Sequence, residues 1–117
     1  NLCTFAVDGP NCSVNPDAER VVREAHAARI PIGALCITPA LIAKILGHGT
    51  LTIGSDAGTA QAIETMGATH QNTQGSDVVI DLKNLLVTTP CYMLDSPIST
   101  IADGADNAVK ALLNLMD

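Results

Sequence analysis

Ile32-Gly33-Ala34-Leu35-Cys36-Ile37-Thr38-Pro39 is the stretch that decides the fold of this chain. Its first residues form an apolar run of strand length, followed at once by helix-opening chemistry. Thr38 reads as an N-cap and Pro39 as the first helical position of a helix over Ala40–Leu46. A cysteine between strand and helix lies at the carboxyl edge of a sheet, where open α/β folds place their chemistry. The following helix N-terminus turns N–H groups and a partial positive charge toward it, which favours thiolate over thiol. Such a turn is a nucleophile elbow carrying Cys where hydrolases carry Ser. The alternative is a small buried core cysteine, because free Cys is among the most buried residue types.

Working outward, the chain alternates strands and helices. Asn15-Pro16-Asp17 opens a helix to about Ala28, with Val21, Val22, Ala25 and Ala28 on one face and Glu19, Arg20, Arg23 and Glu24 outside. Pro31 stops it, and Ile32–Leu35 is a fully buried strand. The helix from Pro39 ends at Gly47-His48-Gly49, and Leu51–Ile53 is a second short strand. Ser55 or Asp56 caps a helix through Thr65 that Gly67 closes, and Thr69–Ser76 reads as irregular. Val78–Ile80 and Leu85–Val87 flank Asp81-Leu82-Lys83-Asn84, a tight hairpin. Ser96-Pro97 opens the last helix, whose apolar stripe is Ile98, Ile101, Ala105, Ala108, Val109, Leu112, Leu113 and Met116. This alternation predicts an α/β fold with a mainly parallel sheet and right-handed crossovers. Three or four strands leave unpaired edges that present a template for pairing.

Composition narrows the function classes. With 117 residues, 47% of them hydrophobic, the chain suggests one domain with a real core. Phe5 and Tyr92 are its only aromatic residues, so the core must be aliphatic, as suits helices on a buried parallel sheet. Bases have no aromatic platform to stack on, and a net charge of −6 supplies no basic face for phosphates. Nucleic acid is therefore not an expected partner. Cys3, Cys12, Cys36 and Cys91 form no CxxC pair and read as free thiols of a reducing compartment. No run reaches the length of a membrane span, and no membrane partner is expected.

The segment Gly33-Ala34-Leu35-Cys36-Ile37-Thr38-Pro39-Ala40 resembles the nucleophile elbow of the PfpI superfamily, within the class I glutamine amidotransferase-like fold. Within that superfamily the likeness is to the ElbB-like proteins, labelled isoprenoid-biosynthesis or enhancing-lycopene-biosynthesis proteins, with mitochondrial relatives in animals. Further blocks resemble that family in order: Leu51-Thr52-Ile53-Gly54-Ser55-Asp56, then Thr59-Ala60 through Glu64-Thr65-Met66-Gly67-Ala68-Thr69-His70, then Val87-Thr88-Thr89-Pro90-Cys91-Tyr92-Met93-Leu94. The opening Asn1-Leu2-Cys3-Thr4-Phe5-Ala6 is similar to the family's segment after its glycine-rich turn. The resemblance implies a flavodoxin-like three-layer sandwich, of which residues 1–117 are the carboxyl-terminal part of a single domain. It also implies that the first strand, an acidic residue contacting the nucleophile and a Gly-Gly oxyanion turn lie outside this chain. Two departures stand out. Many PfpI-type enzymes place His directly after the cysteine, where this chain has Ile37. The superfamily's other triad histidine position holds Gly54-Ser55-Asp56.

Cys36 is the expected nucleophile, with the Ile37 backbone N–H as an oxyanion donor. Ser55 and Asp56, at the end of the neighbouring strand, are candidates to touch substrate, with a plain helix cap as the alternative for Asp56. Thr89 and Tyr92, at the end of the last strand, are further substrate-binding candidates, with strand-end capping as the alternative. Cys91 is not expected to be catalytic. Of the three histidines, His26 reads as solvated and His48 as lying at the far end of the elbow helix. His70 is a candidate base if its loop folds over the cleft, against a plain surface residue. No ligand spacing links them, so no metal is expected, and Gly54-Ser55-Asp56-Ala57-Gly58 lacks the GxGxxG of a nucleotide loop, so no cofactor is expected.

What the resemblance implies is glutathione-independent glyoxalase chemistry, converting glyoxal or methylglyoxal to a hydroxy acid through Cys36. The rival is a non-enzymatic redox-responsive regulatory protein in which Cys36 oxidises. Amide transfer from glutamine ranks third, because it leans hardest on the absent triad histidine. Expected partners are a small carbonyl substrate, the amino-terminal half of the same fold and, as an option, a second copy of the chain. The expected location is cytoplasmic, or mitochondrial in a eukaryote.

Overall fold

Buried aliphatic residues organise the molecule around two short sheets. The computed structural model describes residues 1–116. Strand β1 (Ile32–Leu35) pairs parallel with β5 (Leu86–Thr89) in the register Ile32↔Leu86 to Leu35↔Thr89. Strand β4 (Val79–Asp81) flanks β5 on its other side, antiparallel, so the order is β1-β5-β4. Strands β2 (Thr50–Leu51) and β3 (Thr69–His70) form a separate parallel pair. The expected hairpin is therefore present at β4 and β5. The segment expected to be irregular from Thr69 instead begins with β3, a strand that exists only through its pairing with β2.

Among the described residues, five α-helices surround these strands: α1 (Phe5–Asp8), α2 (Pro16–Ala27), α3 (Thr38–Leu46), α4 (Ala57–Thr65) and α5 (Ile98–Asn114). Asn15 caps α2 by accepting from the N–H groups of Asp17 and Ala18, satisfying donors that a helix start leaves open. Val22 and Ala25 turn partly inward on α2, but Val21 and Ala28 are exposed. Helix α3 is apolar nearly all round and correspondingly buried, with Ala40, Leu41, Ile42, Ala43 and Ile45 all inside. They meet Ala34, Leu51, Ile53, Ile63 and Leu86 in one aliphatic core. Each fully buried Leu or Ile there contributes about 1.5–3 kcal/mol.

Alternation along β1 sends Ala34 toward α3 and Gly33 toward α5. A methyl group at Gly33 would lie 3.3 Å from the Leu112 side chain of α5. The stripe expected on α5 divides into two. Ile101 and Ala108, with Gly104 between them, are buried, whereas Ile98, Val109, Leu113 and Met116 are exposed. One helix can press only a narrow stripe against two strands, so the apolar positions outside that arc stay uncovered.

Polar side chains stitch the two sheets together. Asp81, 8% exposed, accepts from the N–H groups of Thr50 at 2.8 Å and Asn84 at 2.9 Å, and from Asn84 Nδ2 at 2.9 Å. Burial pushes its pKa up, but the bonds from Asn84, Thr50 and Lys83 outweigh burial and hold the carboxyl below its ordinary value. A depressed carboxyl pKa adds stability that is full above the ordinary value near 3.8 and is lost as pH falls from there through the folded-state value. Asp81→Ala should cost about 2–4 kcal/mol near neutral pH, since it orphans several donors. It should also flatten acid sensitivity, checked by urea unfolding at about pH 7 and about pH 3. An equal acid loss in variant and parent would contradict this role.

Candidate functional site

Strand β1 ends at Leu35, and Cys36 reverses the chain with φ at 64°. For a residue with a Cβ this left-handed conformation costs roughly 1–2 kcal/mol, so the surroundings must impose it. They do so from both sides. The Cys36 N–H donates to the Thr89 carbonyl at 3.1 Å, extending the β1–β5 ladder by one bond. Beyond it, the Ile37 carbonyl accepts from Ala40 N–H at 2.9 Å and Pro39 is buried in the first turn of α3. Helix α3 starts one residue earlier than expected. Ile37 occupies the cap position and Thr38 is already helical, because the reversal at Cys36 leaves Ile37 with right-handed dihedrals. No side chain caps this end of α3, so the positive end of its dipole faces the turn uncapped. Cys36 itself is half-buried.

An apolar pocket of about 290 Å³ borders this turn, lined by Ile37, Thr38 and Leu41 with Leu2, Cys3 and Phe5. A larger surface hollow of about 600 Å³, bounded by Asn1–Thr4, Ala6–Asp8 and Ser13–Pro16, includes none of the turn residues. The pocket beside Ile37 is lined by the two residues that follow Cys36, not by Cys36 itself.

The other candidate residues divide sharply. Asp56 caps α4, its Oδ2 accepting from the Thr59 hydroxyl at 2.7 Å and the Thr59 N–H at 2.9 Å. Those bonds, the hydroxyl's first, hold its pKa below the ordinary value. The cap reading of Asp56 thus describes its carboxylate. Ser55 is exposed and borders a hollow with Ala57, Gln61 and Glu64, not with the Cys36 turn. Thr89 is fully buried and its hydroxyl donates to the Asp77 carbonyl at 2.7 Å. It cannot contact substrate through that hydroxyl. Its part is to present the carbonyl that holds Cys36. Tyr92 stands 68% exposed, so it closes no wall by itself.

His70 is corrected as well. Its Nε2 accepts the backbone N–H of Ile53 at 3.1 Å. A neutral imidazole has one lone pair, and this bond uses it. His70 is therefore a strand-to-strand brace in this conformation, not a free base. Burial lowers its pKa, partly opposed by Glu64. His48 is exposed, beyond the Gly47 C-cap of α3, and its ring lies 5.3 Å from that of His26. No group of three or more His, Cys, Asp or Glu among the described residues could hold a metal.

Sequence reasoning passed over the neighbour that matters most. Strand β5 ends beside β1, and Cys91, with φ at 48°, opens a 3-10 turn (Cys91–Met93) just past it. Burial, and after it the adjacent Cys36 thiol, push the Cys91 thiol above its ordinary pKa against the N–H groups of Cys36 and Tyr92. Both cysteines follow strands in the sequence, which was the available signal. Which strands neighbour each other was not.

Comparison with known proteins fits this architecture. The chain is 41% identical to the rat mitochondrial ES1 protein homolog and 42% identical to the human mitochondrial glutamine amidotransferase-like class 1 domain-containing protein 3. In both cases 98% of the chain is matched to slightly under half of the relative, 47% and 46% respectively. Over that half, the chain is homologous to these mitochondrial ES1 and glutamine amidotransferase-like class 1 domain-containing proteins. It spans about half the length of the curated relatives it matches. Among solved structures, an isoprenoid biosynthesis protein with an amidotransferase-like domain from Ehrlichia chaffeensis superposes with a TM-score of 0.86 at 26% identity, over 97% of this chain and 53% of that one. The α/β, flavodoxin-type fold is thereby shown, with the chain matching about half of its structural neighbour. No protein-family model matches the chain.

Two predictions follow from the geometry. Limited iodoacetamide treatment near neutral pH, read by mass spectrometry, should label Cys36 first. Cys12 is buried, and burial, then Cys3, raises its thiol pKa, while Cys91 is raised likewise. Preferential labelling of Cys3, Cys12 or Cys91 would refute the ranking. His70→Ala should destabilise the fold by about 1–3 kcal/mol by orphaning the buried Ile53 N–H. A depressed His pKa adds stability that is full above about 6.5 and is lost as pH falls from there through the folded-state value. Denaturation of parent and variant on either side of that window checks both statements, and a variant as stable and as pH-sensitive as the parent contradicts them.

Proposed function

We propose that Cys36 is the nucleophile of a PfpI-type site acting on a small α-oxoaldehyde. The observation that carries this reading is the left-handed Cys36 on the turn from β1 to α3, followed directly by the Ile37 N–H. The Cys36 sulfur adds to the aldehyde carbon of methylglyoxal, and the oxygen becomes the hydroxyl of a hemithioacetal. The Ile37 N–H is the donor that stabilises the oxyanion during addition. A base then moves the proton from that carbon to the neighbouring carbonyl carbon through an enediol, giving a thioester. Water cleaves the thioester, releasing the hydroxy acid and restoring the thiol. Because His70 and Asp56 are engaged structurally, we assign the base to the part of the fold outside these residues. The apolar pocket beside Ile37 suits the methyl group of such a substrate.

Residues 1–117 on this reading are the carboxyl-terminal part of one domain, and the remaining half covers the open edges of β1 and β4. A second copy of the chain is the alternative cover. The mitochondrial names of the rat and human relatives support the same compartment in a eukaryotic host, and no described helix is long and apolar enough to cross a membrane. A non-enzymatic, redox-responsive role for Cys36 is the second reading. The engaged His70 lone pair favours it, since it removes a base from the described site.

Kinetics with methylglyoxal on the full-length protein test the enzymatic reading. Cys36→Ala should show no turnover above background, because the covalent step is gone. His48→Ala should be nearly neutral, since the length of α3 places it on the order of 13 Å from the turn. A large loss in His48→Ala with Cys36→Ala still active would refute site and mechanism together.

A further inference from the structure

We propose that Cys91 is the resolving thiol of Cys36, closing a reversible disulfide across the ends of β1 and β5 after Cys36 is oxidised by a hydroperoxide. The proposal rests on the reading of Cys36 as the reactive thiol and adds its regulation.

The sheet supplies the juxtaposition. Leu35 and Thr89 are register partners, so Cys36 faces Pro90 and Cys91 lies one residue beyond. The Cys36 N–H to Thr89 carbonyl bond fixes the two chain ends at that point. Neighbouring strands run about 4.8 Å apart and one residue of offset adds about 3.3 Å along the chain, so the pair falls at roughly 6 Å, within the roughly 4.4–6.8 Å between Cα atoms that a disulfide spans. Both cysteines are half-buried free thiols, and both sit at left-handed turn residues rather than inside regular strands. The small adjustments of a bond closure therefore fall on turns. The thiols also interact electrostatically, which sets an order of events. Burial and the neighbouring sulfur raise the Cys91 thiol pKa, while Cys36 precedes the uncapped start of α3, so Cys36 meets the oxidant first.

The steps balance. The Cys36 thiolate attacks the terminal peroxide oxygen and the O–O bond breaks. Cys36 becomes a sulfenic acid, and the peroxide is reduced to an alcohol or water. The Cys91 sulfur then attacks the Cys36 sulfur, forming S–S as S–O breaks, and the hydroxide leaves as water with the Cys91 proton. The disulfide blocks the nucleophile and diverts it from irreversible sulfinic acid. A dithiol reductant restores both thiols.

The test treats the full-length protein with a several-fold molar excess of hydrogen peroxide, blocks the remaining thiols and maps the digest by mass spectrometry. A Cys36–Cys91 cross-linked peptide that disappears with dithiothreitol is expected. In Cys91→Ser, Cys36 sulfinic acid should rise several-fold over the parent. Cys36 sulfinic acid at equal levels in parent and variant, or disulfides joining other pairs only, would overturn the role of Cys91 while leaving Cys36 reactive. Cys36 recovered unoxidised would instead overturn the reactive-thiol reading itself. The cross-link in the parent decides the matter should Cys91→Ser fold poorly.

Discussion

A left-handed backbone at a residue with a side chain persists only where its neighbours over-determine it, and at Cys36 the decisive neighbour is the Thr89 carbonyl. Thr89 is fixed in turn. Its hydroxyl is tied to the Asp77 carbonyl, and Gly104 lets α5 approach so closely that an added Cβ would lie 3.2 Å from Thr89 Oγ1. A line of constraint thus runs from α5 through β5 to the turn that carries Cys36. On the opposite side, the buried apolar helix α3 anchors the other end of that turn. The candidate nucleophile is thus held by packing on both faces of the sheet, the preorganisation that its proposed role needs.

The β2–β3 pair shows how side chains substitute for a missing ladder. Beyond Leu51 the ladder stops, and Thr52 N–H donates to Thr88 Oγ1 and Ile53 N–H to His70 Nε2. Thr52 and Thr73 hydroxyls bond at 2.8 Å. Buried polar groups without partners are expensive, and no buried side-chain nitrogen or oxygen among the described residues lacks one. The consequence for function is direct. Residues whose chemistry suggests catalysis, His70 and Thr89 among them, are occupied in holding strands. A second close approach serves the same end: an added Cβ at Gly67 would lie 2.5 Å from the Gly47 carbonyl oxygen, so helix α4 can end against α3 only with glycine there.

Exposed apolar residues on α5 and the unpaired sides of β1 and β4 give the molecule an unfinished surface. That surface accords with a chain matching about half of its relatives.

Much of this was legible in the sequence, for local reasons. Asn15, Asp56, Gly47 and Gly67 mark helix ends by side-chain and backbone preferences that act within a turn, and the Asp81–Asn84 turn with its flanking apolar residues marks the hairpin. Ile32–Leu35 followed by Cys36 and Pro39 placed the strand-to-helix turn, though the helix began a residue early. The sequence by itself determined these elements and the position of the candidate nucleophile, because they depend on neighbours a few residues away. Tertiary structure alone decided that β5 lies beside β1, that Thr89 points inward, that His70 bonds to Ile53 and that Cys91 meets Cys36. Those relations join residues far apart in the chain, and they are fixed by strand order and by the burial of polar atoms, which no local pattern encodes.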